Sequence, residues 1–278
     1  MNSMLSKKKP VYSLRGVCNF VSKKIKTEWL SFSTAMFLLS RIPCNFLGSD
    51  FTRYLNHSSR YFAFVGIFLG VLSGFAFVGL SQVFSREIAT ILTIAFFLML
   101  NGAFHIDGVG DAFDGLGGGH TTEDCMRIMK DSRVGNYGVI GIWFVLMLTY
   151  LALMALPVHK VFLALVVGHS LSRGCMNIII QRYPHAEYSV ENTPKIMVSK
   201  VSRLDMILGI VFGAMPLLFF KDVAVFWVVL PVVVVTLWLG RYFHQRIQGY
   251  TGDCLGLQQQ VCEVLIYLFF SVYPWMSV

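Results

Sequence analysis

Residues 88–120 read IATILTIAFFLMLNGAFHIDGVGDAFDGLGGGH, in which an apolar run is followed directly by a stretch that carries three aspartates and six glycines. An apolar α-helix needs about 17–25 residues to cross the hydrocarbon core of a bilayer, and the run from residue 88 to residue 104 has that length. Since the aspartates begin where the run ends, the sequence predicts a membrane helix that presents carboxylates at the bilayer surface.

The composition extends this interpretation to the whole chain. Of its 278 residues, 55% are hydrophobic and 14% are charged, and the mean hydropathy is +0.64. Soluble domains are about 45–50% apolar and about 25% charged. The apolar residues fall in blocks without the wet face of a soluble helix. We therefore predict an all-α, polytopic membrane bundle that forms one integral-membrane domain over residues 1–278.

Seven blocks are candidate transmembrane helices within residues 48–278, which we expect to form the bundle. They cover about 61–81, 87–105, 136–156, 160–181, 204–220, 222–240 and 260–278. The preceding segment, residues 1–47, is basic at its start and mixed later. Because Arg41 would be costly in lipid, residues 28–47 are expected to form a short interfacial or re-entrant helix.

The charge distribution predicts the topology. The net charge is +8, and seven cations crowd the first 26 residues, namely Lys7, Lys8, Lys9, Arg15, Lys23, Lys24 and Lys26. Such a cluster beside membrane segments indicates a cytoplasmic N-terminus near anionic lipid, and we expect no nucleic-acid partner. With seven alternating spans, the long basic segments 106–135, 182–203 and 241–259 all fall on the cytoplasmic side.

The aspartates of the opening stretch are the candidate metal ligands. On a helix, Asp107, Asp111 and Asp114 would lie at i, i+4 and i+7, within about 60° of one face. Three like charges repel one another there, and Mg²⁺ would neutralise them with hard oxygen ligands. Gly118 and Gly119 would let a phosphorylated ligand approach the backbone, and we predict that they bind substrate. The alternative is a solvated acidic cap on a membrane helix.

Cations follow in the segment DCMRIMKDSRVGNYG, residues 124–138. Arg127, Lys130 and Arg133 could neutralise phosphate oxygens, because arginine binds phosphate bidentately and lysine binds it as a point charge. Asp131 is a candidate base. The alternative is an i, i+4 ion pair of Arg127 with Asp131 on one helix.

Two further residues are candidates for substrate binding. Arg173 lies inside an apolar run, where a charge is usually functional or paired. Asp253 lies in GYTGDCLG, residues 249–256, at the start of a span, either in a simple turn or in a shared site.

These motifs resemble those of the cobalamin-5′-phosphate synthase family, also called the adenosylcobinamide-GDP ribazoletransferase family. The matching segments are FLLSRIP (37–43), SSRYFAFVGIFLG (58–70), GAFHIDGVGDAFDGLGGG (102–119), RIMKDSRVGNYGVIG (127–141) and GYTGDCLG with Gln258 and Glu263 behind it.

The resemblance implies an activity, a cofactor and a location. In that reaction, a ribose hydroxyl of α-ribazole or of α-ribazole 5′-phosphate attacks the cobinamide-side phosphorus of adenosylcobinamide-GDP. GMP leaves, and adenosylcobalamin or its 5′-phosphate forms. The family is Mg²⁺-dependent and occupies the bacterial inner membrane. Homo-oligomerisation, or association with other late cobalamin-pathway enzymes, is left open.

Two alternatives remain. Asp111-x-x-Asp114-Gly115 resembles the start of the CDP-alcohol phosphotransferase motif, although Gly118 and Gly119 stand where that motif has Ala-Arg. The second alternative is a divalent-cation transporter, but such a protein would more often place its carboxylates at mid-membrane on broken helices.

Overall fold

The computed structural model describes residues 14–44, 51–186 and 201–273, and within these ranges the chain is built from helices. The α-helices are α1 Leu14–Leu39, α2 Phe51–Ser58, α3 Phe62–Leu80, α4 Arg86–Asn101, α5 Phe104–Gly118, α6 Thr122–Met129, α7 Asn136–Ala155, α8 Val158–Arg182, α9 Arg203–Ala214, α10 Val229–Ile247 and α11 Gly252–Val272. Short 3-10 helices cover Ser59–Tyr61, Met215–Phe219 and Val223–Val228.

The all-α membrane bundle is confirmed, but seven spans are not. Five helical stretches in the described ranges are long and apolar enough to cross a membrane: Tyr54–Leu80, Asn136–Ala155, Val158–Arg182, Val223–Ile247 and Gly252–Val272. A sixth results if α4 and α5, which meet at 89°, count as one bent span.

The segment predicted as a span at 204–220 is broken. Its α-helix, α9, has 12 residues and passes into a 3-10 helix at Met215–Phe219, whose second residue is Pro216. Proline has no N–H to donate to the preceding turn, so it ends regular α-helix. At 1.5 Å per residue α9 covers about 18 Å, which is less than the hydrocarbon thickness. The last span also starts earlier than predicted, at Gly252, and residues 274–278 lie outside the described ranges.

Helix α8 is the centre of the bundle and is buried along most of its length. Glycines let α3 and α9 approach it. A Cβ added to Gly66 of α3 would lie 2.1 Å from the carbonyl oxygen of His169, and one added to Gly209 of α9 would lie 3.3 Å from that of Gly174. Small residues at such crossings let the helices pack closely. In lipid this close packing stabilises helix association, because the hydrophobic effect does not drive helices together there.

The short connections lie together at one end of the bundle. The guanidinium of Arg86, at the start of α4, donates to the carbonyl oxygens of Leu153, at 3.2 Å, and Leu156, at the end of α7. The hydroxyl of Tyr273, after α11, donates to Asp222, which lies between the 3-10 helices.

The long polar segments lie together at the other end. The amide of Ala186, after α8, donates to the carbonyl oxygen of Tyr250, before α11, at 2.9 Å. The hydroxyl of Thr122 in α6 donates to the carbonyl oxygen of Arg246 in α10 at 3.2 Å. The predicted separation of long segments from short joins is therefore present in the fold.

Helix α1 is longer than the predicted interfacial helix, since it continues from Leu14 to Leu39. Glu28 holds it to the start of α3 through an ion pair with Arg60, at 3.3 Å, and a hydrogen bond from the Tyr61 hydroxyl, at 2.7 Å. The lysine cluster at residues 7–9 lies outside the described ranges, so its placement at the membrane surface stays a prediction.

Candidate active site

A sharp turn after α4 sets the position of the aspartates. Gly102 and Ala103 both adopt left-handed conformations, with φ of 67° and 59°. The side-chain oxygen of Asn101 accepts a hydrogen bond from the Ala103 amide at 2.9 Å and stabilises this turn. The span predicted at 87–105 therefore ends at Asn101. Helix α5 leaves it at 89° and runs at the end where the long segments meet.

The predicted helical spacing of the aspartates is confirmed by α5. Asp107 is exposed, Asp111 is half-buried and Asp114 is buried. A fourth carboxylate joins them from α11, because Asp253 is close enough to Asp111 to repel it electrostatically, as Asp107 and Asp114 also do. Gly108 permits this approach, since a Cβ there would lie 2.9 Å from the Cα of Asp253. Four carboxyl groups thus meet where α5 crosses the start of α11.

Asp114 differs from the other three carboxylates in its partners. One of its oxygens accepts a hydrogen bond from the Gly135 amide at 2.7 Å, and the other accepts one from the Gly138 amide at 2.8 Å. These amides belong to the first turn of α7, whose N-terminal end carries partial positive charge. Asp114 therefore anchors α7 to α5 in this structure, and its predicted role as a metal ligand stays a prediction.

The structure separates the predicted cations. Arg127 forms an ion pair with Asp124 at 3.2 Å on α6. Arg133 forms a bidentate pair with Asp131, at 3.0 and 2.7 Å. The alternative of an intrahelical pair between Arg127 and Asp131 is wrong, because α6 ends at Met129, before Asp131. Both arginines are exposed at the surface in these pairs.

The partners of Asp131 define its protonation. Hydrogen bonds from the side chain and the backbone amide of Arg133 lower the pKa of Asp131 to about 2. A carboxylate with so low a pKa is a weak proton acceptor near neutral pH.

Lys130 is the predicted cation that lies nearest the carboxylates. Its charge acts on Asp253, and both residues line a cavity of about 320 Å³ together with Thr251. Thr251 caps α11, since its hydroxyl oxygen accepts a hydrogen bond from the Cys254 amide at 3.2 Å. The cavity therefore opens where positive charge, carboxylates and a helix N-terminus meet.

Arg173 is fully buried beneath α5. Its guanidinium donates to the carbonyl oxygen of His169 at 2.9 Å and lies 3.5 Å from Nδ1 of His105. The Cζ atom of Arg173 also lies over the Phe97 ring, 5.6 Å from the ring centroid. His169 in turn lies 2.8 Å from a carboxylate oxygen of Glu263. These contacts hold α5 against α8 and α11 from inside the bundle, and a substrate contact of Arg173 stays a prediction.

The two glycines predicted to bind substrate form the end of α5. Gly118 is exposed, whereas Gly119 is tightly packed, because a Cβ there would lie 2.6 Å from the Cys125 amide nitrogen. Arg246, which the sequence did not single out, donates to the carbonyl oxygens of Leu116 at 2.9 Å and Gly119 at 2.6 Å. A cation at a helix C-terminus satisfies carbonyls that have no intrahelical partner.

The carboxylates do not by themselves form a ready metal cage. In the described ranges, no three histidine, cysteine, aspartate or glutamate side chains are arranged to hold one ion. Mg²⁺ commonly binds one or two carboxylates and completes its shell with water and substrate phosphates, and the predicted magnesium site stays a prediction.

Comparison with known proteins supports a single family. The family described as "Cobalamin-5-phosphate synthase" matches residues 31–271. A Ralstonia pickettii protein named adenosylcobinamide-GDP ribazoletransferase is 34% identical over 91% of this chain and 98% of its own length. A Shewanella frigidimarina protein of the same name is 36% identical over 87% of this chain and 95% of its own. No solved structure matches the chain. The α5 carboxylates and the α6–α7 segment both lie inside the matched region, and the chain belongs to the cobalamin-5-phosphate synthase family.

Proposed function

We propose that the chain is an adenosylcobinamide-GDP ribazoletransferase. A ribose hydroxyl of α-ribazole, or of its 5′-phosphate, attacks the cobinamide-side phosphorus of adenosylcobinamide-GDP. A new P–O bond to the ribose forms, the pyrophosphate P–O bond breaks, GMP leaves, and the hydroxyl proton passes to a carboxylate. The observation that carries this proposal is the meeting of Asp107, Asp111 and Asp253 beside Lys130 at a cavity mouth.

Magnesium fits this donor set. Carboxylates that repel one another and are not matched by enough positive charge favour a divalent cation. One or two of the carboxylates Asp107, Asp111 and Asp253 would hold it, with pyrophosphate oxygens completing the ligands. When bound, it would neutralise the charge that develops on the leaving phosphate.

The predicted cations would contact the phosphates of the substrate. Lys130 lies where it can contact a phosphate beside Asp253. Arg127 and Arg133 are exposed, so they could exchange their carboxylate partners for the guanosine-side phosphate. Arginine suits this exchange because its planar fork binds carboxylate and phosphate in the same bidentate way. Asp131 is left as a partner of Arg133, since its low pKa disfavours it as the base.

Product analysis tests the proposal. Purified protein in lipid is given adenosylcobinamide-GDP, α-ribazole and Mg²⁺, and we expect GMP and the cobalamin product in equal amounts. Asp111→Asn is the matched inactive control. Absence of GMP release by the folded parent protein would refute the assignment. Release of CMP from a CDP-alcohol, or uptake of Mg²⁺ without GMP release, would instead support one of the two alternatives.

The protein is a multi-pass membrane protein, and we propose that it lies in the bacterial inner membrane with its N-terminus in the cytoplasm. The basic long segments share one end of the bundle, and positive charge is retained on the cytoplasmic side. In a background without native cysteines, Glu123→Cys should react with an impermeant reagent only after the inner membrane is opened, and Val83→Cys should react before. The reverse pattern would invert the topology.

A further inference from the structure

The cavity beside the carboxylates has a strongly divided lining. It measures about 320 Å³, and most of its wall is apolar. Its polar residues lie on one side and belong to or adjoin the connection into α11: His185 pairs with the backbone of Tyr250, the Thr251 hydroxyl lies 3.3 Å from a carboxylate oxygen of Asp253, and Lys130 acts on that carboxylate. A ligand held here would have one apolar end and one polar end.

The apolar wall comes from several helices. Met176 and Ile180 of α8 are almost fully buried, and Phe62 of α3 and Met126 and Met129 of α6 also line the cavity. Helices α1, α5 and α11 contribute Leu38, Leu39, Phe104 and Leu255. Methionine side chains are flexible and polarisable, and they make favourable contacts with aromatic rings. Such a wall suits a flat aromatic group with few hydrogen-bonding groups.

We infer that this cavity binds the apolar heteroaromatic base of the acceptor nucleoside, with its ribose directed toward Lys130 and Asp253. The inference rests on the proposed function and identifies which part of which substrate enters the cavity. In this orientation the attacking hydroxyl is delivered to the carboxylates, where the pyrophosphate must also lie.

Two other ring systems of the substrates fit less well. Guanine has hydrogen-bonding groups along its edges, and an apolar wall would leave them unpaired at a cost. The corrin ring with its amide arms is several times larger than dimethylbenzimidazole, the base of α-ribazole. Binding pockets for small molecules measure about 300–1,000 Å³, so a cavity of this size lies at the lower end of the range.

The base itself offers a direct test. The dimethylbenzimidazole riboside is compared with the benzimidazole riboside, which lacks both methyl groups. Loss of a methyl-sized contact in an apolar pocket typically lowers kcat/KM by about 10-fold or more. We expect at least a 10-fold preference of the parent for the methylated acceptor, with an unchanged KM for adenosylcobinamide-GDP. The ratio is measured on one preparation, so the active fraction cancels.

Neighbouring residues of α8 provide a matched pair of variants. Ile180 lines the cavity, whereas Ile179 is equally buried but faces α10, where it lies 3.1 Å from the position of a Cβ added to Gly240. We expect Ile180→Ala to reduce the methyl preference to within about 3-fold, and Ile179→Ala to keep the parental preference, because only a residue in contact couples to the ligand.

The outcomes separate the two proposals. If the parent releases GMP but shows no methyl preference, or if Ile180→Ala keeps the parental preference, the cavity does not hold the base and the proposed function stands. If Ile180→Ala instead raises the KM for adenosylcobinamide-GDP, the cavity belongs to the other substrate. If the folded parent releases no GMP with either acceptor, the proposed function fails and this inference fails with it.

Discussion

Replacement of Asp114 by asparagine should weaken the packing of α7 on α5. Asp114 accepts one backbone N–H on each oxygen, from Gly135 and Gly138, and it is only 8% exposed. Asparagine keeps one acceptor but turns an NH₂ group toward the other amide. A hydrogen bond to a charged group contributes about 1.5–3 kcal/mol, and the charge at the helix N-terminus adds about 0.3–1 kcal/mol. The expected loss is therefore about 2–4 kcal/mol.

The matched variant Asp111→Asn should behave in the opposite way. Asp111 is repelled by neighbouring carboxylates, so removal of its charge should leave stability unchanged or raise it slightly. Its turnover should nevertheless fall by at least about 100-fold, because loss of metal-assisted charge stabilisation costs several kcal/mol and each 1.36 kcal/mol is a factor of ten.

Reversible unfolding by SDS in mixed micelles measures both variants, with turnover measured on the same preparations. The reasoning is refuted if Asp114→Asn unfolds within about 1 kcal/mol of the parent protein, since loss of a buried charged hydrogen bond should exceed that value. It is equally refuted if Asp111→Asn is the less stable of the two.

Two further predictions concern the neighbours of these carboxylates. Gly108→Ala should cost about 1–3 kcal/mol and lower turnover, because the new methyl group would press on the Asp253 backbone, whereas Gly79→Ala, with open space around it, should match the parent in both assays. The low pKa of Asp131, set by Arg133, keeps this carboxylate ionised until the pH falls toward about 2. Asp131→Asn should therefore leave the acidic limb of the kcat/KM profile in place between about pH 5 and 8, and a shifted limb would identify Asp131 as the base.

Local features were predictable where a pattern within one segment decides them. The apolar blocks predicted the membrane helices, and the i, i+4, i+7 spacing predicted one helix for the three aspartates of α5. The predicted span at 204–220 is not formed, because α9 ends at Ala214 and a 3-10 helix that contains Pro216 follows it. The length of an apolar block indicates how favourable its transfer into lipid is, but it does not predict where the backbone bends.

The amino-acid sequence by itself determined the membrane class, the separation of polar from apolar segments and the family, because burial in lipid and motif spacing are properties of consecutive residues. The tertiary structure alone decided that Asp253 joins the α5 carboxylates, that Asp114 binds the first turn of α7, and that Arg246 closes the end of α5 from 127 to 130 residues away. These contacts depend on the 89° turn between α4 and α5 and on the close helix crossings that glycines permit. Their partners lie far apart in the chain, so no local pattern could have paired them.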